Sequence, residues 1–185
     1  MTASHYFFVD AETDGLYGAF LSAAALVTDG AGRELDRFYG ALSPDRAAVS
    51  DPWVRENVLP SLGRAEVFFE TEAQLLEAFW AFWLRWREGC VCAADVPVPV
   101  EARLLARCVE GDPETRTCLG PFPLLDLSTL LFSRGIDPKA DRLSLSGLSL
   151  TRHDALDDVR MTAAVWRKLL GQPGDPPASG PPGGR

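Results

Sequence analysis

The sequence is poor in the residues that mark a metal-stapled or disulfide-bonded domain, with two histidines and four cysteines in 185 residues. Cys90 and Cys92 stand as Cys-x-Cys, closer together than structural zinc ligands, and Cys108 and Cys118 are isolated. Buried free thiols in a reducing compartment are expected instead. Long apolar runs are also missing. The greasiest stretch, Leu75 to Trp86, is broken by Glu77 and Arg85, well short of the roughly 18–20 apolar residues that cross a bilayer. Positive charge is scarce: 18 Lys and Arg against 26 Asp and Glu give a net −8. That balance excludes a clamp gripping long nucleic acid over its whole surface, because phosphate contacts supply most non-specific affinity. It leaves room for a pocket that takes one strand end, where bound divalent cations reverse the local sign. The opening residues hold no basic stretch and acids enter by Asp10, so a soluble, cytoplasmic protein without a secretory leader is expected.

What remains is the composition of an ordinary globular protein, 46% hydrophobic and 24% charged. The length fits one domain that buries roughly two thirds of its unfolded surface. Five Gly and five Pro crowd into residues 171–185, so a folded unit over 1–170 and a disordered tail over 171–185 are expected.

The pattern predicts an antiparallel meander of three strands, His5–Asp10, Phe20–Thr28 and Glu34–Leu42, with turns at Asp14-Gly15 and Asp29-Gly30. A short helix over Asp51–Val58 follows. Apolar residues then recur at three- and four-residue spacing from Leu75 to Trp86, predicting a helix over Glu72–Arg87 packed on a sheet. A strand at Cys90–Ala94, a helix at Glu101–Glu110, a strand at Phe122–Leu125 and helices at Ser128–Arg134 and Ala155–Leu170 complete the order. This is an α/β layered fold with a mixed five-stranded sheet flanked by helices, its first strand central.

Two segments carry chemistry. In Asp10-Ala11-Glu12 the strand alternation points both carboxylates the same way, at the end of the apolar run HYFFV. Adjacent carboxylates there must be protonated, solvated or bridged by a hard divalent cation. In His153-Asp154-Ala155-Leu156-Asp157-Asp158, acids open the last helix, where the helix dipole alone accounts for Asp154 and Asp157. Asp158 lies one turn beyond Asp154, and His153 just ahead could reach the same pocket and accept a proton from water.

Together DAETDGL and HDALDD resemble the first and third motifs of the DEDDh 3′→5′ exonucleases, the superfamily of polymerase proofreading subunits, ribonuclease T and oligoribonuclease. Asp10, Glu12, Thr13, Gly15 and Leu16 match the first motif; His153, Ala155 and Asp158 match the third. The second motif departs: Asp95 follows the fourth strand, but Ala94 stands where the family has an aromatic, and Pro97 and Pro99 delay the next helix. Asp126 is the other acid on that side, better read as structural.

The resemblance implies a ribonuclease H-like fold and hydrolysis of terminal phosphodiesters with two Mg²⁺ (or Mn²⁺) ions. These would be held by Asp10, Glu12, Asp95 and Asp158, with His153 as general base and Thr13, Gly15 and Leu16 against the terminal nucleotide. It implies single-stranded nucleic-acid 3′ ends as partner, leans towards RNA by analogy with stand-alone members, and leaves a homodimer open. Three other readings compete: a ribonuclease H-like endonuclease, a non-catalytic nucleic-acid- or partner-binding domain on the same fold, and a metal phosphohydrolase acting on nucleotides.

Overall fold

The structure, a computed structural model, describes residues 5–171. The tail expected over 171–185 lies outside them except for Gly171, which closes the last helix. Three strands come first, β1 (His5–Thr13), β2 (Phe20–Asp29) and β3 (Glu34–Leu42), followed by α1 (Pro52–Asn57), α2 (Leu59–Leu62) and β4 (Val67–Phe69). The middle holds α3 (Glu72–Trp86), β5 (Cys90–Ala94), α4 (Val100–Glu110) and α5 (Pro113–Arg116). The chain then runs through β6 (Leu124–Asp126), α6 (Leu127–Ser133), α7 (Arg142–Ser146) and α8 (Ala155–Gly171).

The sheet has six strands in the order β4-β3-β2-β1-β5-β6, one more than expected. The extra strand, β4, is three residues long and pairs parallel with the end of β3. A segment that short offers no periodicity to read. β1–β2–β3 form the antiparallel meander, and β5 joins β1 in parallel, so β1 lies inside the sheet. β1 also runs three residues past Asp10, which brings Glu12 and Thr13 into the strand.

Alternation along β1 sorts its side chains between two cores. Phe7, Val9 and Ala11 pack with α3 and α4, where Phe7 meets Phe79 and Trp83 edge-on at 6.1 and 5.1 Å between ring centroids. Tyr6 and Phe8 face Trp166, Val159 and Ala163 of α8 on the other side. The aromatic helix α3 is therefore a core element, opened by a Thr71–Gln74 capping box. The thiols depart from expectation in part. Cys92 and Cys108 are buried, and burial pushes the Cys108 thiol up to about 12, but Cys90 is partly accessible and Cys118 is exposed. Among the described residues no helix is long and apolar enough to cross a membrane.

Candidate active site

Asp10 and Glu12 share the β1 face that looks towards α8, both partly buried. β1 outruns its neighbour here, since pairing with β5 stops at Phe8–Ala93. Farther along, the N–H of Ala11 is taken by the carboxylate of Glu101, a residue of the first turn of α4 that is only 6% exposed. An acid from α4 thus sits against the strand end that carries Asp10 and Glu12.

The other wall comes from the start of α8. His153 lies in the left-handed region, φ 58°, and its peptide is held at both ends: the N–H donates to Asp158 Oδ2 at 3.1 Å and the carbonyl accepts from Ser61 Oγ at 2.6 Å. Its ring meets the indole of Trp53 edge-on at 4.8 Å. A ring nitrogen of His153, a carboxylate oxygen of Glu12 and one of Asp158 all lie within 4.8 Å of one another. Beneath them, Asp154 and Asp157 are not the surface dipole partners that their position in the sequence implies. Asp154 accepts from Tyr39 Oη and from Arg64, both at 3.0 Å, and caps the Asp157 N–H. Asp157 accepts from Arg64 at 3.0 Å and from the Thr151 N–H. This buried network fixes the helix start from which His153 and Asp158 project.

Four carboxylates, Asp10, Glu12, Glu101 and Asp158, share this space, and none forms an ion pair among the described residues. Burial, reinforced by Glu101, Glu12, Asp158 and Asp95, pushes Asp10 well above the usual carboxylate range. Burial and the charge of Asp158 push Glu12 up to about 8. Glu101 and Asp158 are each pushed up to about 7, again chiefly by burial. His153 moves the other way, lowered by burial and by Arg152. The clustered carboxylate oxygens form a donor set suited to Mg²⁺ or Mn²⁺, so the residues present fit a divalent ion, with the imidazole of His153 beside it.

The structure therefore brings together Asp10, Glu12, His153 and Asp158. Asp95 lines the same cavity, about 400 Å³ in volume, but its Oδ1 accepts from Arg142 Nε at 2.8 Å. Burial raises Asp95 while that guanidinium opposes the rise. Asp126 caps α6 by accepting the N–H groups of Ser128 and Thr129, the structural role expected of it. At the end of β1 Thr13 is buried, and its hydroxyl donates to the Gly15 carbonyl of the β1–β2 loop at 2.6 Å. Gly15 turns the chain at φ 72°, and Leu16 and Tyr17 stand 62% and 77% exposed. Asp14 ties this loop to α1 by accepting from the Ser50 and Asp51 N–H groups at 2.8 and 2.9 Å.

Sequence reasoning missed Glu101, Trp53 and Arg142. An acid in a first helical turn reads as a dipole partner, and only its place six residues after Asp95, behind two prolines, could have flagged Glu101. A larger apolar groove of about 860 Å³ lies beside α4 and Phe122, far poorer in titratable groups.

No family model and no curated relative matches this chain. Solved structures do. E. coli exonuclease I in complex with single-stranded DNA, in its zinc-bound form, matches with a TM-score of 0.65 and 16% identity, over 90% of this chain and 40% of that one. Exonuclease I from Methylocaldum szegediense matches with a TM-score of 0.52 and 17% identity, over 90% and 40%. Exonuclease X bound to 5′ overhanging duplex DNA matches with a TM-score of 0.53 and 17% identity, over 91% of this chain and 95% of that one. The chain spans about 40% of the length of the exonuclease I structures it matches. At these identities the likeness establishes the fold: a mixed sheet flanked by helices in the ribonuclease H-like arrangement of these exonucleases.

Proposed function

We propose that this chain is a metal-dependent 3′→5′ exonuclease that hydrolyses the terminal phosphodiester of single-stranded nucleic acid and releases nucleoside monophosphates. The convergence of Asp10, Glu12 and Asp158 with the ring of His153, from opposite ends of the chain, carries this reading. The fold shared with exonucleases I and X supports it.

Asp10, Glu12 and Asp158 would hold one divalent ion, Mg²⁺ or Mn²⁺. Asp10 and Glu101 would hold a second, because Glu101 forms no ion pair among the described residues while Asp95 is matched by Arg142. Asp95, held by Arg142, would then support that ion without coordinating it directly. When bound, such ions lower the pKa of the attacking water and neutralise charge on the leaving oxygen. His153, kept neutral near pH 7 by its lowered pKa, takes the proton from that water. Trp53, Ser61 and the Asp158 carboxylate hold the imidazole and its peptide in place. The exposed Leu16 side chain contacts the terminal base, while Thr13 acts through Gly15 by holding the loop that presents it.

One time course tests the proposal: purified protein with 5′-labelled DNA and RNA oligomers in Mg²⁺, Mn²⁺ or EDTA. Shortening from the 3′ end in single steps is expected, lost in EDTA and in Asp10→Ala and Asp158→Asn. Internal fragments would mark an endonuclease instead, and full activity in Asp158→Asn would remove the assignment. Glu101→Gln should cost 10²-fold or more, and Asp95→Asn about tenfold or less. The reverse order would return the second ion to Asp95. The DNA and RNA arms separate the two substrates, a distinction that depends on contact with the 2′-hydroxyl.

A further inference from the structure

Part of the cavity wall is built by the end of the segment between α6 and α7, residues 138–141. Arg142, 8% exposed, organises it from beneath: Nη1 donates to the Ala140 carbonyl at 2.5 Å, Nη2 to the Pro138 carbonyl and to Ser128 Oγ at 2.7 Å, and Nε to Asp95. The Lys139 N–H donates to Asp137 Oδ1 at 2.8 Å. Lys139 thus sits between two carbonyls gripped by one buried guanidinium, and its own side chain is exposed.

The charges lining this cavity nearly cancel in pairs. Arg142 is matched by Asp95, and Arg152 by Asp141. That leaves Asp10 and Asp158, an acid wall, and Lys139, which lines the same cavity and forms no ion pair among the described residues. An ammonium sharing a small-ligand-sized cavity with carboxylates that would carry divalent ions suits one chemistry, a chain of phosphates. The scissile phosphate would meet the acid wall, and the next phosphate along the strand would meet the ammonium.

We propose that Lys139 is a strand-side anchor, which takes a non-bridging oxygen of the phosphate one nucleotide 5′ of the scissile bond. It makes the site prefer oligonucleotides over a dinucleoside monophosphate, which has no such phosphate. The proposal rests on the exonuclease reading of the acid wall.

The test compares the unaltered protein with Lys139→Ala and Lys139→Arg. The ratio of kcat/KM for a single-stranded decanucleotide to that for the dinucleoside monophosphate should fall three- to tenfold in Lys139→Ala, through KM rather than kcat. Lys139→Arg should restore it. Binding of a fluorescent decanucleotide in Ca²⁺, read by anisotropy, should weaken to the same extent. Its dependence on log salt concentration should flatten by about 0.7, the share of one phosphate contact on a single strand. A ratio and salt slope that do not move in Lys139→Ala overturn the anchor while leaving the exonuclease reading intact, because the unaltered protein still shortens the strand. If the unaltered protein cleaves neither substrate, the exonuclease reading fails and the anchor fails with it.

Discussion

Crowding carboxylates in one cavity must make the metal-free protein sensitive to alkali. Glu12 is raised from its ordinary 4.5 to about 8, and Asp158 and Glu101 to about 7. An acid whose folded pKa lies above its unfolded value contributes stability that is complete below the unfolded pKa and is lost as pH rises through the folded one. The window here runs from about pH 4.5 to about 8, the ordinary and raised values of Glu12. One pKa unit corresponds to about 1.4 kcal/mol, so Glu12 alone sets a ceiling of roughly 5 kcal/mol. The shifts share the same repulsions and do not add, which puts the expected loss at about 3–5 kcal/mol for the cluster. At about 2–4 °C per kcal/mol for a chain this size, the melting temperature in EDTA should drop by roughly 6–20 °C between pH 5.5 and 8.5. Millimolar Mn²⁺ or Mg²⁺ should abolish most of that drop. Glu12→Gln with Asp158→Asn should flatten it without metal. Differential scanning calorimetry or dye-monitored melting in both conditions reads the effect. A flat EDTA profile, or an unchanged slope in the double variant, would refute the claim that these acids share one desolvated space.

Other expectations concern single residues. His153→Ala should lower kcat by 10²-fold or more while Mn²⁺ affinity by calorimetric titration falls less than tenfold; a rate loss under threefold would make the imidazole a bystander. Tyr39→Phe removes the 3.0 Å bond to buried Asp154 and should cost about 1–2 kcal/mol in urea unfolding, Arg64 remaining as partner; no measurable cost would mean that the network does not hold the start of α8. Trp83→Ala deletes a buried ring that packs on Phe7 and donates to the Leu119 carbonyl at 2.8 Å. It should cost about 3–5 kcal/mol, and a cost below 1 would contradict its place in the core.

The core was the most legible part of the sequence because its signals are local and repeated. The spacing of Leu75, Phe79 and Trp83 defines α3 to within a residue, and the turn at Asp29-Gly30 locates the β2–β3 hairpin. β4 was invisible because three residues pair only through a loop-dependent crossover. In the site, residues of β1 and of the α8 start were readable because the strand period and the helix start each fix a direction. Glu101 was not, since what matters is its bond to Ala11, ninety positions away. Asp95 lines the cavity, but its pairing with Arg142 is a long-range contact that no local pattern announces. The same holds for Asp154 and Asp157: their charge was legible, their burial against Tyr39 and Arg64 was not.

The backbone at His153 has a consequence for any effort to harden this protein. A left-handed φ is unfavourable for most side chains by roughly 1–2 kcal/mol, and asparagine tolerates it best after glycine. A screen that rewards thermal resilience alone should therefore drift towards His153→Asn or His153→Gly, and under the proposed role of His153 as general base each gain there would be made at the expense of turnover. Resilience and the proposed chemistry pull in opposite directions at that position.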